Sequence, residues 1–271
     1  MSENDKSFTG SIPDTYDEFL VPLIFESYAR DLAARVTSTP VKDVLETAAG
    51  SGVVTRALAK VLAPDARYHV TDLNPPMLAR ARSRQTPDDR ITWQATDALD
   101  LPYPDDSFDA VCCQFGVMFF PDRVKGYGEA RRVLRPDGRF HFNVWDTIGA
   151  NAFADVVTQV AGTLLPPGSV NFLARTPHGH GNPDRIRADL EAAGYTDIVI
   201  DQVTEISTAP HPSHPAVAYV RGTPLFGEIA PHGDAMVDRV IHAATEEIAA
   251  RYGAEDGSVS AQIQGYVISA G

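Results

Sequence analysis

Cysteine is scarce. The 271-residue chain has two, Cys112 and Cys113, side by side. Adjacent cysteines cannot form a disulfide framework, which fits a reducing cytosol, and two alone cannot complete a structural zinc site. Basic residues are also few: 23 Lys and Arg against 36 Asp and Glu leave a formal net charge of −13. A protein that grips a phosphate backbone needs a field of Lys and Arg, so no nucleic-acid partner is expected. Long apolar runs are missing: none approaches the roughly 20 residues of a membrane helix. Residues Met1–Ser11 are polar and lack the apolar core of a signal peptide. A cytoplasmic protein with no membrane partner is therefore expected. There is no internal repeat or low-complexity tract. What remains is ordinary globular material, 44% hydrophobic and 22% charged, long enough for a sizeable core without staples.

The first half alternates strand and helix signals. Short apolar runs at Val41–Thr47, Tyr68–Thr71, Ile91–Ala95, Phe108–Phe115 and Arg139–Trp145 read as five strands. Between them, helices are predicted over Gly52–Leu62, Pro75–Arg84 and Asp122–Leu134, the last stopped by Pro136-Asp137-Gly138. Such alternation implies a parallel sheet covered on both faces. An amphipathic helix over Tyr16–Val36 precedes the first strand. Later, helices are predicted over Asn151–Leu164, Asp184–Ala193 and Asp234–Tyr252, with long strands over Asp197–Ser207 and Ser258–Ser269. Arg175–Pro183, rich in His, Gly and Pro, reads as loop.

The segment Val44–Thr55, VLETAAGSGVVT, combines a strand, a turn of small residues and a helix start. Small residues let a ligand approach the backbone, and a helix N-terminus offers free N–H groups. A dinucleotide fingerprint needs G-x-G-x-x-G, and both registers fail here, at Thr55 or at Ala48 and Val53. Glu46 ends the strand and would repel a pyrophosphate, whereas a ligand carrying ammonium and sulfonium groups would suit it. Asp72, twenty residues after Gly52, ends the second strand, where a carboxylate accepts from ribose hydroxyls. Asp97 follows the third strand, placed to accept from an adenine amine. Three acids at the carboxyl ends of successive strands, beside a glycine loop, mark the ligand edge of an open α/β sheet.

These residues resemble the class I S-adenosylmethionine-dependent methyltransferases, in particular the small-molecule branch with the ubiquinone and menaquinone biosynthesis methyltransferases. The likeness rests on Glu46-Thr47-Ala48-Ala49-Gly50-Ser51-Gly52, on Asp72-Leu73-Asn74-Pro75-Pro76-Met77-Leu78, and on Asp97-Ala98-Leu99-Asp100-Leu101-Pro102 with Ser107-Phe108-Asp109. Arg131-Arg132-Val133-Leu134-Arg135-Pro136-Asp137-Gly138 adds to it. It covers residues 40–145. The resemblance implies a Rossmann-like, seven-stranded, mostly parallel sheet with an antiparallel last strand and helical cap insertions, and S-adenosylmethionine as cofactor. It further implies that Glu46, Ala48 and Gly50 line the methionine end and that Asp72 holds the ribose with Leu73 against the adenine. Asp97 and Ala98 would hold the adenine, Met77 would pad the cofactor, and Gln114 would lie near its amino-acid portion. Ala48 departs from the family's glycine and is expected to be tolerated if its φ is negative.

The implied reaction is methyl transfer to a small, largely apolar molecule by a single methyltransferase domain over residues 1–271. Specificity is expected from a lid helix over residues 12–37 and cap insertions over 146–183 and 208–251. His178, His180 and Tyr16 are candidate catalytic residues. His178, His180, His211 and His214 lack an acidic or cysteine partner at ligand spacing, so no metal is expected. Asn74-Pro75-Pro76-Met77 reads as a helix start. A non-catalytic binding protein on the same fold stays open as an alternative, as does a nicotinamide-dependent reductase, which Glu46 and the failed fingerprint oppose. The acceptor atom and oligomeric state are not legible.

Overall fold

The computed structural model describes residues 12–271, with side chains from Asp14 onward. Strands β1 (Asp43–Glu46), β2 (Arg67–Asp72), β3 (Ile91–Ala95), β4 (Phe108–Gln114), β5 (Leu134–Trp145), β6 (Ile198–Ala209) and β7 (Val259–Ala270) form one sheet in the order β3-β2-β1-β4-β5-β7-β6. The pairs β2–β3, β1–β2, β1–β4 and β4–β5 are parallel, and the last strands run antiparallel. The order reverses at β1, so the carboxyl ends of β1, β2 and β4 meet at the switch point where such sheets hold ligands.

The chain divides into two compact units. One comprises Glu26–Val144, Gly181–Val203 and Gly265–Gly271. It holds helices α2 (Glu26–Val36), α3 (Val53–Ala59), α4 (Pro75–Arg84), α5 (Arg123–Val133) and α8 (Pro183–Ala192). On one face of its sheet, Leu45, Val111, Cys113, Phe140, Phe142 and Val144 pack with Tyr127 of α5 and Ile186 and Leu190 of α8. The Tyr127 ring stacks on Phe142 at 5.2 Å. Strand side chains alternate between faces, so Glu46, Cys112, Gln114, His141 and Asn143 belong to the opposite face. Both cysteines are buried and free, one on each face. At the amino ends of the strands, Asp43 takes hydrogen bonds from Arg67 and from Arg135 Nη2, the latter at 2.8 Å. Asp109 accepts from the N–H groups of Lys42 and Asp43, both at 2.8 Å.

The other unit takes the described residues up to Phe25, then Trp145–His180 and Thr204–Gln264. It holds α1 (Ile12–Thr15), α6 (Ala152–Leu164), α7 (Phe172–Arg175), α9 (Ser213–Arg221), α10 (Leu225–Ile229) and α11 (Asp234–Tyr252). Phe153, Val157, Val220, Val237, Val240 and Ile248 are buried in it. The Phe153 and Tyr252 rings meet edge to face at 5.7 Å. Among the described residues, no helix is long and apolar enough to cross a membrane.

The elements depart from expectation in identifiable places. The single helix expected over Tyr16–Val36 is two: a π-helix, Tyr16–Phe25, with Pro22 inside it, and then α2. Proline has no N–H to give and its ring crowds the preceding turn, so an ordinary α-helix cannot pass through it undisturbed. Strand β5 begins at Leu134, earlier than expected, and runs through Pro136-Asp137-Gly138 with a register irregularity opposite Phe108 and Ala110. The short α7 and the helix α9 were not anticipated. Helix α7 owes its start to a distant partner: Glu228 Oε2 accepts from the N–H groups of Asn171 and Phe172, both at 2.9 Å.

Candidate functional site

The glycine loop is tied to the end of β2 by two bonds, and a third closes the turn after that strand. Ala49 N–H donates to the Thr71 carbonyl at 3.0 Å, Gly50 N–H to Asp72 Oδ2 at 2.7 Å, and Asn74 N–H to Asp72 Oδ1 at 2.7 Å. Asp72 is buried, which pushes its carboxyl upward in pKa against those backbone bonds. The Asn74 side chain also donates to it, and of the four lone pairs of the carboxylate one is left for a further donor. Thr96 N–H donates to the Asp72 carbonyl at 3.0 Å, which brings the end of β3 alongside. Leu73, next in sequence, is 48% exposed, a large apolar surface left open beside the buried carboxylate. Met77 is buried, and its Cε lies 3.7 Å from where a Cβ on Gly50 would stand. Asp97 is exposed and uses Oδ1 to hold Leu99 N–H at 2.9 Å, while Ala98 is half-buried. Gln114, half-buried, ends β4 opposite Asn143.

Two hydroxyls in this region are buried without a partner, Ser51 Oγ in the loop and Thr96 Oγ1 beyond β3. Buried polar atoms without partners are rare in folded proteins. Here they flank a positive-φ glycine turn (Gly50 at 57°, Gly52 at 80°), an acid with spare acceptor capacity and an open apolar side chain. That donor set fits a nucleoside with a polar tail.

Glu46 behaves differently from the expectation of a free charge in the turn. It is 1% exposed. Its Oε2 accepts from Thr55 Oγ1 at 2.7 Å and from the Tyr68 hydroxyl. Burial drives its pKa up to about 7, partly offset by those two hydrogen bonds. Near neutral pH the carboxyl is thus partly protonated, which weakens the repulsion argument against a pyrophosphate. Neither Thr55 nor Tyr68 was expected in the site. Their signal was positional: Tyr68 shares a register with Val44, on the face that carries Glu46.

The condition placed on Ala48 is not met. Its φ is +51°, the left-handed region that costs an L-residue roughly 1–2 kcal/mol. It is held there by its neighbours: a Cβ on Gly116 would stand 2.6 Å from the Ala48 methyl, so this loop and the turn after β4 touch.

The expected catalytic candidates belong to the other unit. His178 is buried, and its Nδ1 lies 2.8 Å from the Asp146 carbonyl. A carbonyl only accepts, so Nδ1 carries the proton and Nε2 keeps its lone pair. Burial pushes its pKa down to about 4, so the ring is neutral at physiological pH. His180 is buried. Tyr16 is half-buried and stacks on Phe25 at 5.2 Å. Among the described residues, no cluster of His, Cys, Asp or Glu could hold a metal ion.

A family model described as a methyltransferase domain matches residues 45–142, the segment that carries the loop and all three acids. The demethylmenaquinone methyltransferase of Thermus thermophilus is 33% identical over 165 residues, 57% of this chain and 74% of that enzyme. That of Clavibacter sepedonicus is 43% identical over 177 residues, 62% of this chain and 71% of its own length. Phosphoethanolamine N-methyltransferase 2 of Haemonchus contortus, solved with S-adenosyl-L-methionine, shares the fold at a TM-score of 0.60 and 15% identity, across 100% of this chain and 60% of that one. The strand order, the loop clasped by Asp72 and these similarities converge: the chain belongs to the class I S-adenosylmethionine-dependent methyltransferases, the family of the ubiquinone and menaquinone biosynthesis enzymes.

Proposed function

We propose that the protein methylates a small, largely apolar molecule, with the cofactor held along the carboxyl ends of β1 to β4. The observation that carries the cofactor placement is the Asp72 clasp on Gly50, flanked by the unpartnered Ser51 and Thr96 hydroxyls and the exposed Leu73. Asp72 takes the ribose hydroxyls, and Leu73 lies against the adenine. Asp97 and Ala98 hold the adenine edge. Ala48 and Gly50 border the methionine end, with Glu46 beneath them, Met77 as padding and Gln114 near the amino-acid portion. Bound S-adenosylmethionine supplies a methyl group activated on a sulfonium. The part of this chain is to orient both reactants, exclude water and stabilise changing charge.

The apolar acceptor is supported by the relatives, which are named for demethylmenaquinone. Acceptor choice falls to residues 12–37, 146–183 and 208–251. Of their large apolar side chains, Phe153, Leu165, Phe172, Leu173 and Leu225 are buried core, while Leu164 and Phe226 are half-buried and are the better candidates for touching a substrate. A general base, where the acceptor needs one, comes from His178, His180 or Tyr16.

Calorimetry tests the assignment. S-adenosylhomocysteine should bind and NAD should not. Asp72→Ala should weaken S-adenosylhomocysteine at least tenfold, since charge-assisted hydrogen bonds contribute roughly 1.5–3 kcal/mol. Binding of NAD alone would overturn the cofactor placement, and unchanged affinity would remove Asp72 from the site. Mass spectrometry of a short-chain demethylmenaquinol incubated with protein and S-adenosylmethionine should show addition of one methyl group.

A further inference from the structure

Helices α2 and α3 pack together, and between them and the segment that joins α4 to β3 lies an open recess of about 760 Å³. Its walls follow from helix spacing. Ala29, Arg30 and Ala33 share one stripe of α2, and Val53, Arg56 and Ala57 one stripe of α3, since residues three and four apart are neighbours on a helix surface. Lys60, just past the end of α3, and Arg84, the last residue of α4, also line it. Ala29 and Ala33 are buried, whereas Arg30, Lys60 and Arg84 are exposed. The bed is therefore apolar and the rim cationic, with the exposed Val61 adding apolar surface beside Lys60. Glu46, Asp72 and Asp97 take no part in lining it.

The charge around this recess runs against that of the chain. Residues 26–90 carry ten bases and eight acids, while the whole chain has a net charge of −13. Four cations, Arg30, Arg56, Lys60 and Arg84, line the recess against two acids, Glu26 and Asp88. Asp88 is spent: Arg90 Nε donates to its Oδ1 at 2.9 Å and Arg90 Nη2 to its Oδ2 at 2.6 Å. Among the described residues, the side chains of Arg30 and Lys60 have no hydrogen-bond or ion-pair partner. Gln85 Nε2 donates to the Thr86 carbonyl at 3.1 Å, and its Oε1 is buried, so it turns no lone pair toward an anion in the open recess. Arg56 ties the recess to the glycine loop. Its Nη1 donates to the Ser51 carbonyl at 2.7 Å and stands 3.4 Å from where a Cβ on Gly52 would be.

We propose that this recess is an effector site for an organic phosphate, separate from the cofactor edge, and that the glycine loop senses its occupancy through Arg56. Arg30 on one wall and Lys60 on the other give a phosphoryl dianion donors from two sides, and a guanidinium fork matches a pair of phosphate oxygens. A recess of this volume takes more than a phosphoryl group, and its alanines and Val61 offer the carbon part of the ligand an apolar bed. A phosphoryl group on Arg56 competes with the Ser51 carbonyl for one guanidinium, so an occupied recess loosens the loop and weakens the cofactor. By linkage the cofactor weakens the phosphate by the same factor. The coupling rests on the cofactor placement given above; the phosphate site does not.

The probes are phenyl phosphate, a dianion with an apolar body at pH 8, inorganic phosphate and phenol, each titrated calorimetrically into the full chain in phosphate-free buffer. Phenyl phosphate should bind at least threefold more tightly than inorganic phosphate, and phenol should not bind. Arg30→Gln and Lys60→Gln alter exposed side chains with no partner to lose, so the fold is kept. Each should weaken phenyl phosphate at least threefold, and the double variant at least tenfold. No binding to the parent at millimolar concentration, or equal affinity in the double variant, overturns the site; equal affinity for inorganic phosphate overturns the organic ligand. Saturating phenyl phosphate should weaken S-adenosylhomocysteine at least threefold in the parent and leave it within twofold in the double variant. No weakening in the parent overturns the coupling, and so does weakening that persists in the double variant, which would mean competition at the cofactor edge. A parent that fails to bind S-adenosylhomocysteine defeats the cofactor reading, while the phenyl phosphate titration still decides the site.

Discussion

Glu46 is a carboxyl that the fold takes out of water, and its titration has a definite sign. Unfolded, it loses its proton near 4.5; folded, it keeps it to about 7. Between those values the folded state binds more protons, so this group's contribution falls as pH rises from about 4.5 to 7 and is flat above. The full span corresponds to about 3 kcal/mol. Urea unfolding at pH 5 and pH 7.5 should show a loss of stability that is smaller in Glu46→Gln; equal pH dependence in the two proteins would contradict the raised pKa. Tyr68→Phe removes a hydrogen bond that lowers this pKa and should carry the window higher. The acid itself was legible at the end of a strand beside a glycine turn. Its protonation was not, because that comes from burial by the folded chain, offset by hydrogen bonds from Tyr68, twenty-two residues on, and Thr55, nine residues on.

Gly52 shows what an element's start demands. It precedes α3 at φ +80°, and a Cβ there would stand 2.9 Å from Ala81 Cβ and 3.2 Å from Ala81 Cα in α4. Gly52→Ala thus meets both left-handed strain and a clash with helix backbone, together about 2–4 kcal/mol. Its melting temperature should fall by several degrees in a calorimetric scan; an unchanged value would mean that α3 and α4 move apart at little cost. Elements with local punctuation were readable to the residue: α4 behind Asn74-Pro75, β3, and α11 before Gly253. Those governed from afar were not. Proline and glycine at Pro136-Asp137-Gly138 read as a stop, yet β5 pairs with β4 on both sides of them, at Leu134 and again from Arg139. Helix α7 is four residues long, too short to declare itself without Glu228.

For the whole chain, binding and stability are linked. A ligand that binds only the folded state at a hundredfold its dissociation constant adds about 2.7 kcal/mol. S-adenosylhomocysteine at that level should raise the melting temperature by roughly 5–10 °C, and NAD should leave it unchanged. No shift with S-adenosylhomocysteine would mean that the loop, Asp72 and the unpartnered hydroxyls do not form a cofactor site. The chain's two compact units each draw on three separate segments, so no single cut in the sequence isolates either one. The expected insertions 146–183 and 208–251 overlap one unit and the five predicted strands of the first half the other, but the division at Phe25 within the Tyr16–Val36 segment was not foreseen.

By itself the sequence determined the fold class and the family. Period-two and helical patterns, and the glycine turn with an acid at the end of each neighbouring strand, are local signals that survive without coordinates. Only the tertiary structure decided how those groups are spent. Asp72 clasps the backbone of Gly50 and Asn74, Glu46 is buried against two hydroxyls, and Ala48 sits at positive φ. Asn143 gives its oxygen to Phe115 and keeps its nitrogen unpaired. Each depends on partners brought together by strand pairing across tens of residues, where hydrogen-bond capacity, burial and backbone conformation are settled jointly and no local pattern reports the result.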